Sequence, residues 1–164
     1  MSNICNDKYI DHRGVIYTVY DNRQTDIKFV QDKVTKSHKG VIRGFHGDNK
    51  TWKLITCLDG IIKLITYDVD KDIKQEYILD SNSEQSVSVL VPPRVLNAHQ
   101  CLSETCIFYY KWSEYYTEPE HQWSVRYNDQ NIQPNWDTSL SPIVSDRDNN
   151  SFSLNQLKQW INKN

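Results

Sequence analysis

Short runs of β-branched and aromatic residues recur along the chain, broken by turn residues. Val15–Tyr20 (VIYTVY) predicts a strand, and Asp26–Val34 predicts a second. Trp52–Cys57 (WKLITC) and Ile61–Asp68 (IIKLITYD) predict two more. Between them Asp59-Gly60 has the form of a hairpin turn, because glycine accepts the positive φ such turns require. Ser86–Val91 (SVSVLV) alternates polar and apolar residues. Pro92-Pro93 then ends that ladder, since proline donates no N–H. Thr105–Lys111 (TCIFYYK) predicts a further strand. Many short strands separated by turns make the chain all-β, a sandwich or a barrel.

The last segment has a different period. Ser153-Leu154-Asn155-Gln156 has the form of a capping box, and Leu154, Leu157, Trp160 and Ile161 follow at helical spacing. Ser153–Asn162 is therefore predicted as one amphipathic helix packed on the sheet. No linker, repeat or low-complexity tract divides the 164 residues, so one domain over residues 1–164 is expected.

Composition removes several classes of function. With 38% hydrophobic and 24% charged residues the chain is not of the disordered type. Aromatics at 12% suit strands and pockets more than helix bundles. A net charge of -2 without a basic block argues against a nucleic-acid partner. No apolar run is long enough to span a membrane, and Met1–Tyr9 lacks the apolar core of a secretory signal. The four cysteines lack zinc-type or C-x-x-C spacing, and Cys57 and Cys106 sit in apolar runs as small hydrophobes. A cytoplasmic location is expected.

Several segments carry candidate chemistry. Val41-Ile42-Arg43-Gly44-Phe45-His46-Gly47-Asp48 places a cation and an imidazole three residues apart. On an extended strand they face opposite sides unless the chain bends, which Gly44 and Gly47 permit. Alone, the segment reads as a strand end with a solvent-facing arginine. His12, His38, His99 and His121 are single and scattered, and no H-x-H or H-E-x-x-H occurs. No metal site is expected. Phe108-Tyr109-Tyr110-Lys111 and Tyr115-Tyr116 read as packing, although a phenol placed beside a charge can donate a proton. Asp146-Arg147-Asp148 reads as a solvated charged loop.

Taken in order, these segments resemble the dTDP-4-dehydrorhamnose 3,5-epimerase family. Phe29-Val30-Gln31-Asp32, Ser37 and Lys39–His46 are similar to its "F-x-Q-D … S … K-G-V-L-R-G-L-H". Lys53-Leu54 with Gly60 and the stretch from Val91-Pro92-Pro93 to Leu102-Ser103-Glu104 match two further blocks. Tyr110-Lys111 with Tyr115-Tyr116, Arg126 with Asn128-Asp129, and Ser145 with Arg147-Asp148 complete the order. The resemblance runs from about Asp11 to Asp148. It implies a cupin-type jelly roll, which the strand pattern alone does not select. It also implies a homodimer whose N-terminal strands join the partner's sheet. Few residues precede the match at Asp11–Gly14, so that strand is expected to be short.

The resemblance further implies a reaction without cofactor. A base removes a proton α to the carbonyl of a nucleotide-diphosphate 4-keto sugar, and an acid returns one from the opposite face. By this likeness His46 is the base, Asp148 the carboxylate that orients it, Tyr110 the acid and Lys53 the cation for the enolate oxygen. Arg43 is matched to the diphosphate and Tyr116 to the sugar pocket. The family's "F-A-H-G-F" histidine falls on Asn97, and His99 stands two residues further, on the same face of an extended strand. Both are counted as substrate-binding. Asn97-Ala98-His99, His46-Gly47-Asp48 and Lys53–Cys57 look like a branch acting on GDP-linked 4-keto-6-deoxy-heptoses in capsule biosynthesis. Two alternatives stay open: a nucleotide-sugar 3,4-ketoisomerase, against which Asp48 counts, and a non-catalytic sugar-binding cupin.

Overall fold

The computed structural model describes residues 1–118 and 122–163; His121 lies outside the described residues. The chain opens with β1 (Ser2–Asp11), β2 (Gly14–Tyr17) and a 3-10 turn at Asn22–Gln24. Then come β3 (Gln31–His38), β4 (Ile42–Gly47), β5 (Lys53–Asp59), β6 (Ile61–Asp68) and β7 (Ile73–Asp80). β8 (Gln85–Val91), β9 (Val95–Cys101), β10 (Thr105–Trp112) and β11 (Trp123–Ser124) follow. Two helices, α1 (Asp146–Asn150) and α2 (Leu154–Ile161), close the chain.

The strands form two antiparallel sheets, ordered β2-β1-β8-β5-β10-β3 and β11-β4-β9-β6-β7. From β3 to β10, four strands in the order β3-β10-β5-β8 face four in the order β4-β9-β6-β7. That is the double Greek key of a jelly roll, so the expected all-β, cupin-type fold with a short C-terminal helix is observed. β1 pairs with β8 of the same chain through Ser2–Asp7 and with β2 through Lys8–Asp11.

The interior between the sheets is divided along its length. Ile55, Cys57, Ile62, Leu64, Val89, Cys106 and Phe108 fill one part as an apolar core. Alternation then explains the other part. On β9 the inward row reads Val95, Asn97, His99, Cys101, so two polar residues interrupt an apolar row. The opposite row, with Leu96 and Ala98, packs with Phe45, Ile65, Tyr67 and the α2 residues Leu154 and Leu157. Ser153 caps α2 in a full capping box, as its sequence implies. Buried Asp129 ties the helix down, accepting from the N–H groups of Leu154 at 3.2 Å and Asn131 at 3.0 Å.

Three sequence expectations are corrected. Asp59-Gly60 is not a hairpin, because β5 pairs with β8 and β10 while β6 pairs with β7 and β9. Gly60 does take a φ of 77°, and a Cβ there would lie 2.2 Å from the Thr105 carbonyl oxygen. The turn is tight but carries the chain across to the other sheet. β6 is buried on both faces, and a dipeptide cannot encode which sheet such a strand joins. The strand expected over Asp26–Val34 begins only at Gln31 and runs on to His38. The charged loop at Asp146–Asp148 is the start of α1, where the Ser145 side chain accepts from Asp148 N–H at 3.1 Å.

Candidate active site

A cavity of about 280 Å³ opens where the polar rows of the two sheets meet. Sheet one contributes Lys33, Lys53 and Tyr110; sheet two contributes Arg43, His46, Asn97 and His99; the α1 segment contributes Arg147 and Asp148. With Tyr116, all eight residues singled out from the sequence line this one cavity.

A bend in β4 brings Arg43 and His46 to the same side. Arg43 pairs with His99 and His46 with Asn97, so the register slips by one residue between them. Gly44 makes the slip possible, with φ at 117° and no space for a Cβ, which would sit 2.6 Å from the Ala98 Cβ. Its N–H donates to Asp148 Oδ2 at 3.1 Å. The other carboxylate oxygen meets His46 Nε2 at 2.7 Å. The His46 side chain is 22% exposed and Asp148 only 6%, so the imidazole stands in front of the carboxylate, toward the cavity.

The charge states follow from these surroundings. Burial pushes the His46 pKa down, and the pull of Asp148 only partly restores it. Burial would raise the Asp148 carboxyl, but the His46 hydrogen bond and charge and the Gly44 N–H outweigh it and hold it low. The pair is thus a neutral imidazole against a carboxylate. A carboxylate only accepts, so Nε2 carries the proton and the lone pair lies on Nδ1. Such a lone pair is a general base.

Lys53 is buried, and its ammonium donates to Asn97 Oδ1 at 2.9 Å and to the His46 carbonyl at 3.3 Å. Burial lowers its pKa to about 8, which leaves a cation at neutral pH deep in the cavity. His99 lies flat on Phe108, with ring centroids 4.0 Å apart, and its Nε2 has no hydrogen-bond partner among the described residues. Burial first, then the Arg43 and His46 charges, takes its pKa to about 3, so it is neutral. Asn97, placed where the resemblance puts a histidine, therefore holds Lys53, while His99 occupies a separate position beside it.

Phe108, Tyr110, Trp112 and Tyr116 form a continuous aromatic wall, with successive centroids 5.0, 5.9 and 5.3 Å apart. Burial raises the Tyr110 phenol, against smaller opposing effects of Thr35 and Arg43, so it stays protonated well past neutrality. Arg43 sits at the exposed rim, its Nε donating to Ser37 Oγ at 3.1 Å. Among the described residues, four cations (Lys33, Arg43, Lys53 and Arg147) thus face a cavity with one carboxylate. A base, a buried cation and a phenol around one anion-attracting cavity are the parts that proton transfer next to a carbonyl requires.

Sequence reasoning missed Lys33, Thr35 and Arg147. The first two lie on the inward row of β3, with Gln31 and Ser37, and a period of two from Gln31 onward marks them. Among the described residues no three His, Cys, Asp or Glu side chains converge as metal ligands. No helix among them is long and apolar enough to cross a membrane.

Comparison with known proteins accords with this geometry. The dTDP-4-dehydrorhamnose 3,5-epimerase family model matches residues 2–156. The dTDP-4-dehydrorhamnose 3,5-epimerase of Salmonella typhimurium is 31% identical over 151 residues, covering 84% of this chain and 81% of that protein. A TDP-4-oxo-6-deoxy-alpha-D-glucose-3,4-oxoisomerase of Aneurinibacillus thermoaerophilus is 30% identical, covering 70% of this chain and 79% of that protein. The crystal structure of the Bacillus anthracis dTDP-4-dehydrorhamnose 3,5-epimerase, with TDP and PPi bound, superposes with a TM-score of 0.81 at 28% identity. It covers 92% of this chain and 93% of that one. The chain belongs to the dTDP-4-dehydrorhamnose 3,5-epimerase family.

Proposed function

We propose that the protein epimerises C3, C5 or both in a nucleotide-diphosphate-linked 4-keto-6-deoxy sugar. The observation that carries this reading is the His46–Asp148 pair, 2.7 Å apart, in one cavity with Lys53 and Tyr110. Protons on carbons flanking a carbonyl are acidic because the resulting carbanion is an enolate. His46, as a neutral base, takes such a proton. Lys53 stabilises the charge that develops on the carbonyl oxygen. Tyr110 delivers a proton to the opposite face. No electron leaves the substrate, so the reaction needs no redox partner. Arg43 binds the diphosphate through its fork, while Asn97, His99 and Tyr116 shape the sugar site.

The finer specificity rests on sequence. The blocks around Asn97-Ala98-His99 and His46-Gly47-Asp48 favour a GDP-linked heptose over a dTDP-linked hexose, in the cytoplasmic supply of capsule precursors. A homodimer accords with the β1–β2 hairpin, where Tyr9, Ile10, Val15 and Ile16 are exposed.

The oxoisomerase among the relatives supports a second reading, 3,4-ketoisomerisation, which uses the same α-proton chemistry and moves the carbonyl. Against it, Asp48 does not line the main cavity. Its carboxylate is turned into its own loop, accepting from Lys50 N–H at 2.9 Å and Thr51 N–H at 2.6 Å. NMR analysis of the product separates the readings: an inverted centre with the 4-keto group in place supports epimerisation, and a 3-keto product overturns it.

A further inference from the structure

Lys33 is a cation of the cavity that neither the sequence motifs nor the proposed chemistry employs. It projects from β3 into the aromatic wall, opposite Tyr110 in the strand register. Its ammonium lies 3.6 Å from the Tyr116 ring centroid, 5.0 Å from Trp112 and 5.9 Å from Tyr110. Three π faces attract the charge without neutralising it. Among the described residues no carboxylate pairs with it, unlike Lys111 on the neighbouring strand β10, which is tied to Asp32 at 2.6 Å. Burial alone accounts for its lowered pKa. An amine held so, half-buried and without a counterion among the described residues, is a standing positive charge that an anionic ligand can claim.

The cavity's depth indicates which part of the ligand that is. Lys53, His99 and Asp148 are buried at its floor, whereas Arg43 is exposed and Lys33 and Tyr116 are half-buried toward its rim. A sugar ring at the floor, beside His46, places the group that follows it at the rim. In a nucleotide sugar that group is the diphosphate. β3 also braces the rim by its inward row: Gln31 Oε1 accepts from Tyr116 N–H at 2.9 Å, and Ser37 accepts from Arg43. Lys33 lies between those two anchors.

Building on the nucleotide-sugar reading above, we propose that Lys33 is a diphosphate-binding residue. It waits on the rings of Tyr116 and Trp112 and swings to the phosphates with Arg43 when substrate enters. The test is titration of the full chain with TDP and GDP, and with thymidine and guanosine as phosphate-free controls. Lys33→Met keeps the stem and its packing but removes the charge.

The expected result is a Kd for TDP and for GDP raised by about 10–100-fold, the size of a lost charge-assisted contact, with nucleoside binding unchanged. The salt dependence of diphosphate binding should also become shallower. Wild-type affinity for both diphosphates in Lys33→Met, while Arg43→Gln loses them, would overturn the role of Lys33 and leave the nucleotide-sugar reading standing. Equal loss of nucleosides and diphosphates would make Lys33 a packing residue and overturn it too. If neither variant alters diphosphate binding, the nucleotide-sugar reading fails with it.

Discussion

Asp148 meets His46 from 102 residues further along the chain, one oxygen on the imidazole Nε2 at 2.7 Å and the other on the Gly44 N–H at 3.1 Å. The carboxylate therefore fixes both the tautomer of the base and the bend that aims it. Asp148→Asn replaces an acceptor by an amide that can present its NH2 to Nε2, which moves the ring proton to Nδ1. We expect kcat to fall by about 10²–10⁴-fold with little change in KM, measured by steady-state turnover. Turnover within threefold of wild type would remove Asp148 from the mechanism.

The pH profile follows from the directions of the shifts. His46 must be neutral to act as a base, and burial lowers its pKa below 6.5, so kcat/KM should fall only as pH drops below that value. Lys53 must be charged, and its pKa of about 8 sets the alkaline limb. Tyr110, raised above 10, adds no limb in between. A bell with its alkaline arm at about pH 8, lost in Lys53→Met, is the expected profile. An alkaline arm near pH 10 in the wild type would contradict the role given to Lys53.

Gly44 is under two constraints at once, a positive φ and contact with the Asn97 carbonyl and Ala98. Gly44→Ala should cost at least about 1–3 kcal/mol, the usual range for a side chain forced into such a conformation. Thermal denaturation measures it. Activity should fall further than stability, because the bend also carries His46. An unchanged melting temperature would show that the strand tolerates the methyl group.

Some of this was legible in the chain and some was not, for physical reasons. The capping box at Ser153 and Gln156 is a local device and reads directly as α2. The strand-forming runs at 61–68 and 105–111 are likewise local in origin. The ordered motifs from Phe29 to Asp148 bring all eight candidate residues to one cavity. What local pattern cannot supply is pairing. Asp59-Gly60 makes a tight turn in either case, and only burial of both faces of β6 sends it to the second sheet. β1, SNICNDKYID, is a polar strand with no apolar alternation to reveal it. Lys33 reads as a surface charge until β10 sets Tyr110 opposite it.

Asp129 is fully buried beneath α2, accepting from the backbone N–H of Asn131, Ile132 and Leu154. Asp129→Ala strands those donors and should destabilise the fold by about 1–3 kcal/mol. Chemical denaturation should show a lower midpoint with an unchanged slope. Because the residue lies outside the cavity, kcat of the folded fraction should stay within about twofold of wild type. A stability equal to wild type would show that water replaces the carboxylate.

The central claim is that His46 abstracts a proton next to the substrate carbonyl. The direct measurement is deuterium uptake at C3 and C5 in D₂O. The substrates are GDP- and dTDP-linked 4-keto-6-deoxy hexose and heptose, followed by mass spectrometry and NMR. We expect uptake with at least one of them, and a rate about 10²–10⁴-fold lower in His46→Asn. Exchange at the wild-type rate in that variant, or no exchange with any substrate despite measurable binding, would contradict the account.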